Sequence, residues 1–417
     1  MDRYGDEMGV TTWQPYRRAF ALPGAPAFVC AGFVARLPMS MIPLGIVLAV
    51  SGLTGTYGLA GALSATFAVS AAIGSPLTSR IIDRRGQHRV LPLLAFAHGI
   101  ALTGLVVALE AQWPLIAQFA CAALAGALVP AIGAFVRARW ATQVHAQPPG
   151  TRSPVTLSSA FAIESILDEL VYTIGPLLAA TLATSVGATL PLVVAVGLGL
   201  AGALALSTQR RTEPPPRAPG VPSAGGEPRR RLLGLPGMPR VMVTLLAIGL
   251  VFGAYEVSVV ASCQQADAPT ATGIVLAVWA IGSMIAGAWF GSRHWQVPIA
   301  RQLFVTTGLV ALTVVPALIM PSIIGLAIVT MVAGAAFAPS LICLFALTEQ
   351  SVPAARLTEG LAWCQSAIAI GFAAGAALGG LGIDAWGPQA SFAIPLAAGL
   401  AAWAPWVGPG LIRQPVR

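Results

Sequence analysis

The chain has 417 residues, of which 56% are hydrophobic and only 9% are charged, and its mean hydropathy is +0.80. Soluble domains carry about 25% charged residues, so this composition excludes a soluble globular protein and indicates a membrane protein. The net charge of +8 does not indicate nucleic-acid binding, because the basic residues fall in short loops and one linker without forming a basic helix face.

The chain begins with a polar stretch of mixed charge, residues 1–25. The first apolar run, from Ala27 to Val50, is longer than the roughly 7–15 residues of a signal-peptide core, and we interpret it as a retained membrane span. A bilayer span needs about 20 mostly apolar residues. By this measure the sequence predicts an all-α membrane protein with twelve transmembrane helices, at 26–50, 57–79, 90–109, 114–137, 156–183, 187–207, 240–263, 269–291, 302–320, 322–347, 358–382 and 389–409.

The arginines predict the orientation of these spans. The loops after the odd-numbered spans contain no arginine, and among all the arginines only Arg36 falls in the interior of a predicted span. Cytoplasmic loops carry an excess of basic residues. We therefore expect a multi-pass protein of the cell membrane with both termini in the cytoplasm.

One long connection, residues 208–238, is rich in proline, glycine and arginine and cannot form a hydrophobic core. It predicts a cytoplasmic linker between two six-helix bundles, residues 1–207 and 239–417. Ile73-Gly74-Ser75 matches Ile281-Gly282-Ser283 at an offset of 208, and Pro130 matches Pro339 at an offset of 209. These offsets favour a parallel duplication, an arrangement in which transporters bind substrate between the two halves.

The loop after the second span reads Ser79 to Arg89, SRIIDRRGQHR. It resembles the corresponding loop of the major facilitator superfamily, where Gly, three residues, Asp, Arg, any residue and Gly precede two basic residues. Ser79 takes the place of the first Gly, Gln87 and His88 replace the basic pair, and the motif residues present are Asp83, Arg84, Gly86 and Arg89. With twelve spans, a central linker and duplicated halves, the resemblance covers the whole chain.

The resemblance implies a conformational latch in this loop. Gly86 allows a tight reversal between helices, and Asp83 can accept from the backbone N–H groups of another helix. In the family the matching acid docks on the eleventh span and on an arginine near the fourth, which predicts Arg137 or Arg139 and the region of Thr358 as partners. For Arg84 and Arg89 a role in setting the topology is the alternative.

Ionisable residues deep in a membrane span are functional candidates. The fifth span contains Glu164, Asp168 and Glu169, and Glu164 and Asp168 share a helix face. Two close carboxylates in a low-dielectric environment should not both ionise readily, which favours proton coupling. We expect Arg36 to pair with Glu164 or Asp168; a static ion pair that holds two spans together is the alternative.

A second group of residues is predicted to line a substrate cavity. Gly175-Pro176 in the fifth span resembles a signature of the drug–proton antiporter branch, although its flanking glycines are missing and Gln118 stands where that branch has an arginine. Trp279 and Trp363 lie in spans that flank the cavity in the family, with interface anchoring or packing as the alternative. The predicted cavity residues are Glu256, Gln118, Tyr172, Trp279 and Trp363.

The sequence thus favours a secondary transporter of a small organic compound, with proton-coupled efflux by alternating access as the expected mode. A proton-coupled uptake symporter and a transporter-like receptor without flux are the alternatives. The chain contains no lysine and no GxxxxGK[ST] loop, which excludes direct coupling to ATP. We expect no enzyme activity, no cofactor and no metal, and we expect a monomer whose partners are the substrate, protons and the lipid bilayer, without nucleic acid.

Overall fold

The computed structural model describes residues 14–54, 57–148, 155–216, 232–268, 271–293, 295–320 and 322–407. Part of the predicted linker, residues 217–231, and the start of the polar N-terminal stretch lie outside these ranges. The helices of the N-terminal half are α1 (Gln14–Ala21), α2 (Ala25–Thr54), α3 (Tyr57–Arg85), α4 (Gln87–Glu110), α5 (Leu115–Ala127), α6 (Ile132–His145), α7 (Leu157–Ser185) and α8 (Leu190–Thr208). Those of the C-terminal half are α9 (Met238–Gln265), α10 (Ala271–Ser292), α11 (Ile299–Val314), α12 (Ile323–Ser351), α13 (Leu357–Ser391) and α14 (Ala393–Trp403).

The predicted all-α membrane fold is confirmed. Within the described ranges, eleven helical segments are long and apolar enough to cross a bilayer, and a shorter apolar segment, Ala393–Trp406, follows them. The backbone leaves helical geometry at Gly387, where φ is +81°, so the chain reverses inside the range assigned to α13. Residues 388–391 therefore begin the last crossing, as the predicted span 389–409 requires.

The fourth span differs from its prediction of 114–137. It breaks near Pro130 into α5 and α6, because proline cannot donate the helical hydrogen bond, and it then continues to His145. Arg137 and Arg139, which we expected in the loop, therefore lie inside α6 and are 1% and 0% exposed. The prediction from hydropathy ended this span too early, because hydropathy does not include the hydrogen-bond and ion-pair partners that stabilise two buried arginines.

Glycines allow close helix packing inside each half, and the same glycine contacts occur in both halves. A Cβ on Gly74 of α3 would collide with the carbonyl of Ala127, and one on Gly282 of α10 would collide with that of Met331. The reciprocal contacts use Gly126 against α3 and Gly334 against α10. Gly74 and Gly282 are 208 residues apart, as are Gly126 and Gly334, so the same backbone approach occurs once in each half.

The two halves contact each other at the end that carries the arginine-rich loops. There α13 packs on α3 and α6, while α7 packs on α10 and α12. The short helix α1, which the sequence analysis did not predict, lies against both α7 and α10.

Candidate functional site

A buried ion-pair cluster joins three helices of the N-terminal half. Arg36 of α2 places Nη1 2.8 Å from Glu164 Oε2 and 2.7 Å from Asp168 Oδ1, and both acids lie on α7. Arg137 of α6 places Nη2 2.6 Å from Asp168 Oδ2. Trp140, one turn after Arg137, donates from Nε1 to Glu164 Oε1 at 2.8 Å. The expected pairing of Arg36 with Glu164 and Asp168 is therefore present, with Arg137 as a further partner.

The arginines of this cluster give its two carboxylates a different environment from the one that we expected from the sequence. We expected two close acids to repel each other, but two guanidinium groups now lie between and beside them. Opposite charges at hydrogen-bond distance attract each other strongly where water is excluded. Taking such charges out of water is costly, and the cost is offset only when the pairing is complete. Glu164 and Asp168 are thus held as ion-pair partners.

Arg137 also reaches the C-terminal half. Its guanidinium carbon lies 4.2 Å from the ring centroid of Phe345 on α12, a distance typical of a cation–π contact. A Cβ on Gly133, one turn earlier, would meet the side-chain amide of Gln365 on α13 and Nη1 of Arg137. The cluster therefore lies at the interface between the halves.

The third acid of α7 has a different environment. Glu169 faces Ser283 of α10 in the other half. One turn further along α7, Tyr172 is 49% exposed and lies within electrostatic reach of Glu169 and of Glu256 on α9. Tyr172 therefore lies near acids that belong to both halves of the chain.

A second set of contacts joins the halves at the arginine-rich end. Asp83 Oδ2 accepts from the backbone N–H of Glu359 at 2.8 Å, at the beginning of α13. The Glu359 carboxylate, 1% exposed, accepts from Nη2 of Arg80 at 2.6 Å and from Nε of Arg356 at 3.1 Å. The N-terminus of a helix stabilises a nearby carboxylate, which accounts for the docking of Asp83.

Further contacts close the same end. Ser159 of α7 donates from Oγ to the carbonyl of Gly291 on α10 at 2.8 Å. The Tyr16 hydroxyl donates to the carbonyl of Ala288, also on α10, and burial raises the pKa of Tyr16, so the hydroxyl keeps its proton. His145 Nε2 lies 3.5 Å from Glu349 Oε1.

The predicted arginine partners of Asp83 were wrong. Arg137 pairs with Asp168, as described above. Arg139 donates from Nε to Gln87 Oε1 at 2.7 Å and from Nη1 to the hydroxyl of Thr212 at 2.6 Å, so it fastens the beginning of the linker to the N-terminal half. Of the other loop residues, Gly86 has a φ of +91°, which glycine adopts without strain, and Arg84 and Arg89 are exposed.

Two cavity predictions also need correction. Gln118 lies in the first turn of α5, where its amide donates to the carbonyl of Trp113 at 2.9 Å, so it holds the turn between α4 and α5. Trp279 is 3% exposed and stacks on Phe252 with ring centroids 5.6 Å apart, which makes it a packing residue. Trp363 is partly buried against the hydrophobic core.

Sequence reasoning missed Arg80, Glu359 and Trp140. Arg80 and Glu359 are separated by 279 residues, so no local spacing rule links them, although Glu359 directly follows the predicted docking region at Thr358. Trp140 stands three residues after Arg137 and therefore on the same helix face. That spacing would have suggested a role beside the arginine once α6 was known to continue past residue 137.

Comparisons with known proteins identify the fold. The family model described as Major Facilitator Superfamily matches residues 25–344. No curated protein matches the sequence. Among solved structures, the human organic anion transporter MFSD10 (TETRAN) aligns with a TM-score of 0.66 and 14% identity, over 94% of this chain and 100% of that one. A bacterial homologue of the iron transporter ferroportin, in an outward-facing state, aligns with a TM-score of 0.70 and 12% identity, over 91% of this chain and 98% of that one. At these identities the likeness concerns the fold.

Proposed function

The chain belongs to the major facilitator superfamily, and we propose that it is a proton-coupled secondary transporter that exports a small organic compound by alternating access. The proposal includes the cell membrane as its location, with both termini in the cytoplasm, which the excess of arginines in the loops of one side favours. The observation that carries the proposal is that the two halves are in contact at the arginine-rich end, while acidic residues lie deeper in the membrane-spanning helices. Contacts of Asp83 and Glu359 join the halves at the arginine-rich end, while Tyr172 lies within electrostatic reach of Glu169 and of Glu256.

The closed end supports alternating access. Its contacts are hydrogen bonds and ion pairs between side chains and helix ends, and they can separate without unfolding either half. If the arginine-rich end faces the cytoplasm, as the excess of basic residues favours, this conformer is closed on the cytoplasmic side. Separation of Asp83 and Arg80 from α13, together with separation of α7 from α10, would open the cytoplasmic side.

The distribution of charge supports Glu169 as the proton carrier. Glu164 and Asp168 are balanced by Arg36 and Arg137, whereas Glu169 faces a serine of the opposite half. A carboxyl group that crosses between two environments as the halves move can bind a proton in one and release it in the other. Glu169 on α7 faces α10, and the contact between these helices must change in the cycle.

The same balance favours a cationic or neutral substrate. The two arginines and two acids of the cluster sum to zero, and Glu169 and Glu256 then leave an excess of negative charge near Tyr172. An organic anion would face this excess without a matching free cation in the cluster. Buried like charges are costly, so anions are disfavoured.

Flux measurements test the proposal. Purified protein in liposomes, with an imposed pH gradient, is screened against organic cations, neutral compounds and organic anions of similar size. We expect gradient-driven movement of a cation or a neutral compound. Glu169→Gln should abolish movement driven by the gradient but retain exchange of labelled for unlabelled substrate, since the cavity remains.

The matched control is Glu110→Gln, the same substitution at an exposed position at the end of α4. It should leave both the gradient-driven flux and the exchange unchanged. Gradient-driven flux that survives Glu169→Gln at the wild-type rate would remove Glu169 from coupling. Binding of a compound without any flux would point to a receptor instead.

A further inference from the structure

The short helix α1 lies outside the membrane bundle, across the seam between α7 and α10. Its Tyr16 side chain is 6% exposed and bonds to the main chain of α10, so α1 is fixed to the closed end. Between α1 and α7 lies an open groove of about 590 Å³, within the roughly 300–1,000 Å³ typical of ligand sites. We call it the α1 groove; it is lined by Tyr16, Arg17 and Phe20 of α1 and by Ile163, Ile166 and Leu167 of α7.

The lining changes in character along the groove. The α7 side is wholly aliphatic, and Phe20 on the α1 side is 41% exposed. Arg17 and its neighbour Arg18 are exposed on α1. Ile163 lies six residues into α7, about 9 Å from the helix start at a rise of 1.5 Å per residue. The aliphatic wall therefore runs into the hydrocarbon region, and the two arginines stand near its boundary.

This combination of an aliphatic wall with a basic edge matches the two parts of a charged lipid. Basic groups between helices at the cytoplasmic face attract anionic headgroups, and apolar side chains accept an acyl chain through burial of hydrocarbon surface. We propose that the α1 groove binds one anionic phospholipid, with an acyl chain against Phe20, Ile166 and Leu167 and the phosphate beside Arg17 and Arg18.

Because of its position, a lipid in the α1 groove would affect the conformation of the protein. A lipid that fills the space between α1 and α7 adds contacts that hold α1 in place. Since α1 also bonds to Ala288 of α10, those contacts stabilise the closed end. An anionic lipid would thus bind more tightly to the conformer described here than to one in which α7 and α10 have separated.

Native mass spectrometry of the full-length protein tests the site. The protein is titrated with phosphatidylglycerol and with phosphatidylcholine of the same acyl chains. We expect phosphatidylglycerol to bind more tightly, and the double variant Arg17→Gln, Arg18→Gln to weaken it by about 25-fold, or about fivefold for each arginine. Phosphatidylcholine binding should not respond to this variant.

A second variant separates the acyl chain from the headgroup. Ile163→Trp places a larger side chain in the groove and should weaken the binding of both lipids. The control is Arg210→Gln, Arg211→Gln, which removes two adjacent exposed arginines elsewhere at the same end and should leave lipid binding unchanged. Size-exclusion chromatography establishes that each variant is folded.

Three outcomes would overturn the proposal. Equal affinity for the two lipids would remove the charge recognition. An equal loss of phosphatidylglycerol in the Arg210, Arg211 control would make the attraction a property of the whole face. Lipid binding that appears only after deletion of residues 2–13 would mean that the chain's own N-terminal segment fills the groove.

Discussion

Asp168 is the residue on which the buried cluster depends, because its two carboxylate oxygens serve two different arginines. Oδ1 lies 2.7 Å from Arg36 and Oδ2 lies 2.6 Å from Arg137. Those arginines come from α2 and α6, so a single side chain connects three helices. Breaking a buried ion pair from one side is more costly than removing it altogether, since the remaining charge has no partner.

Replacement of Asp168 by Asn should therefore destabilise the protein. Two buried guanidinium groups would lose the carboxylate that they share, and we expect a loss of about 3 kcal/mol, measured as a lower midpoint of thermal unfolding in detergent. Asp267→Asn makes the same chemical change at an exposed residue with a φ of +53°, a conformation that Asn tolerates. If both variants unfold at the same temperature, the ion pairs do not stabilise the fold.

For single residues, the sequence predicts which side chains belong to the candidate site better than it predicts their contact partners. The acids of α7 and Arg36 stood out because each interrupts an apolar run. Arg137 and Arg139 did not, because they follow a proline and end a hydropathic segment, which is also how a loop looks. Whether such an arginine is buried depends on carboxylates and carbonyls elsewhere in the chain, and those are known only once the helices are placed.

The helix pair α9 and α13 shows how an element depends on small residues. Cβ atoms on Gly249, Gly253, Gly371, Gly375 and Gly379 would all meet the backbone of the partner helix. Close backbone approach of this kind allows helices to associate in a membrane, where the hydrophobic effect contributes little between them.

A Gly-to-Ala substitution inside a helix usually stabilises the fold, and we expect Gly253→Ala to destabilise it instead. Alanine favours a helix by about 1 kcal/mol over glycine, but here its Cβ would collide with the carbonyl of Phe372, at a cost of about 1–3 kcal/mol for overpacking. Gly197→Ala in α8 is the control, since open space surrounds that position. We expect the unfolding midpoint to fall for Gly253→Ala and to rise or stay level for Gly197→Ala; a rise in both would contradict the packing.

The elements themselves were largely predictable, because about 20 apolar residues are a strong signal for a bilayer span. The prediction failed where backbone geometry, and not hydropathy, decides the helix ends. One span divides into two helices near Pro130, and two spans follow each other within the range of α13 at Gly387. It also missed α1, whose eight residues are too short and too polar to be read as a span.

At the scale of the whole molecule, the closed end should respond to Glu359. Glu359→Gln removes the charge that holds Arg80 and Arg356. Hydrogen bonds to charged groups contribute about 1.5–3 kcal/mol, so we expect the closed conformer to lose about tenfold or more in its ratio to the open one.

Distances between spin labels at positions 89 and 240 measure this ratio, since these exposed residues lie on opposite halves at the arginine-rich end. The labels are placed in a background in which the native cysteines are replaced. Glu110→Gln should leave the distance distribution as in the parent protein. A distribution that is identical in Glu359→Gln and the parent would show that other contacts hold this end.

The overall plan of two similar halves followed from two short sequence matches, and the repeated glycine contacts give it a physical basis. The conformer could not be predicted, because the proposed alternating access requires at least two arrangements of the halves and hydropathy is equal in both. The contacts between Arg80, Asp83 and α13 become visible only when one arrangement is specified.

The glycine contacts between α9 and α13 join two distant points into one lever. Glu359 begins this lever at the closed end, and Gly379, twenty residues later and about 30 Å away at 1.5 Å per residue, touches Ala254, two residues before Glu256. Because the two backbones touch from Ile368 to Gly379, the two helices should pivot together. In the proposed cycle, a small tilt about a point between the two acids that frees Glu359 from Arg80 would move Glu256 the opposite way, so release at one side of the membrane and displacement of the acid would become a single movement.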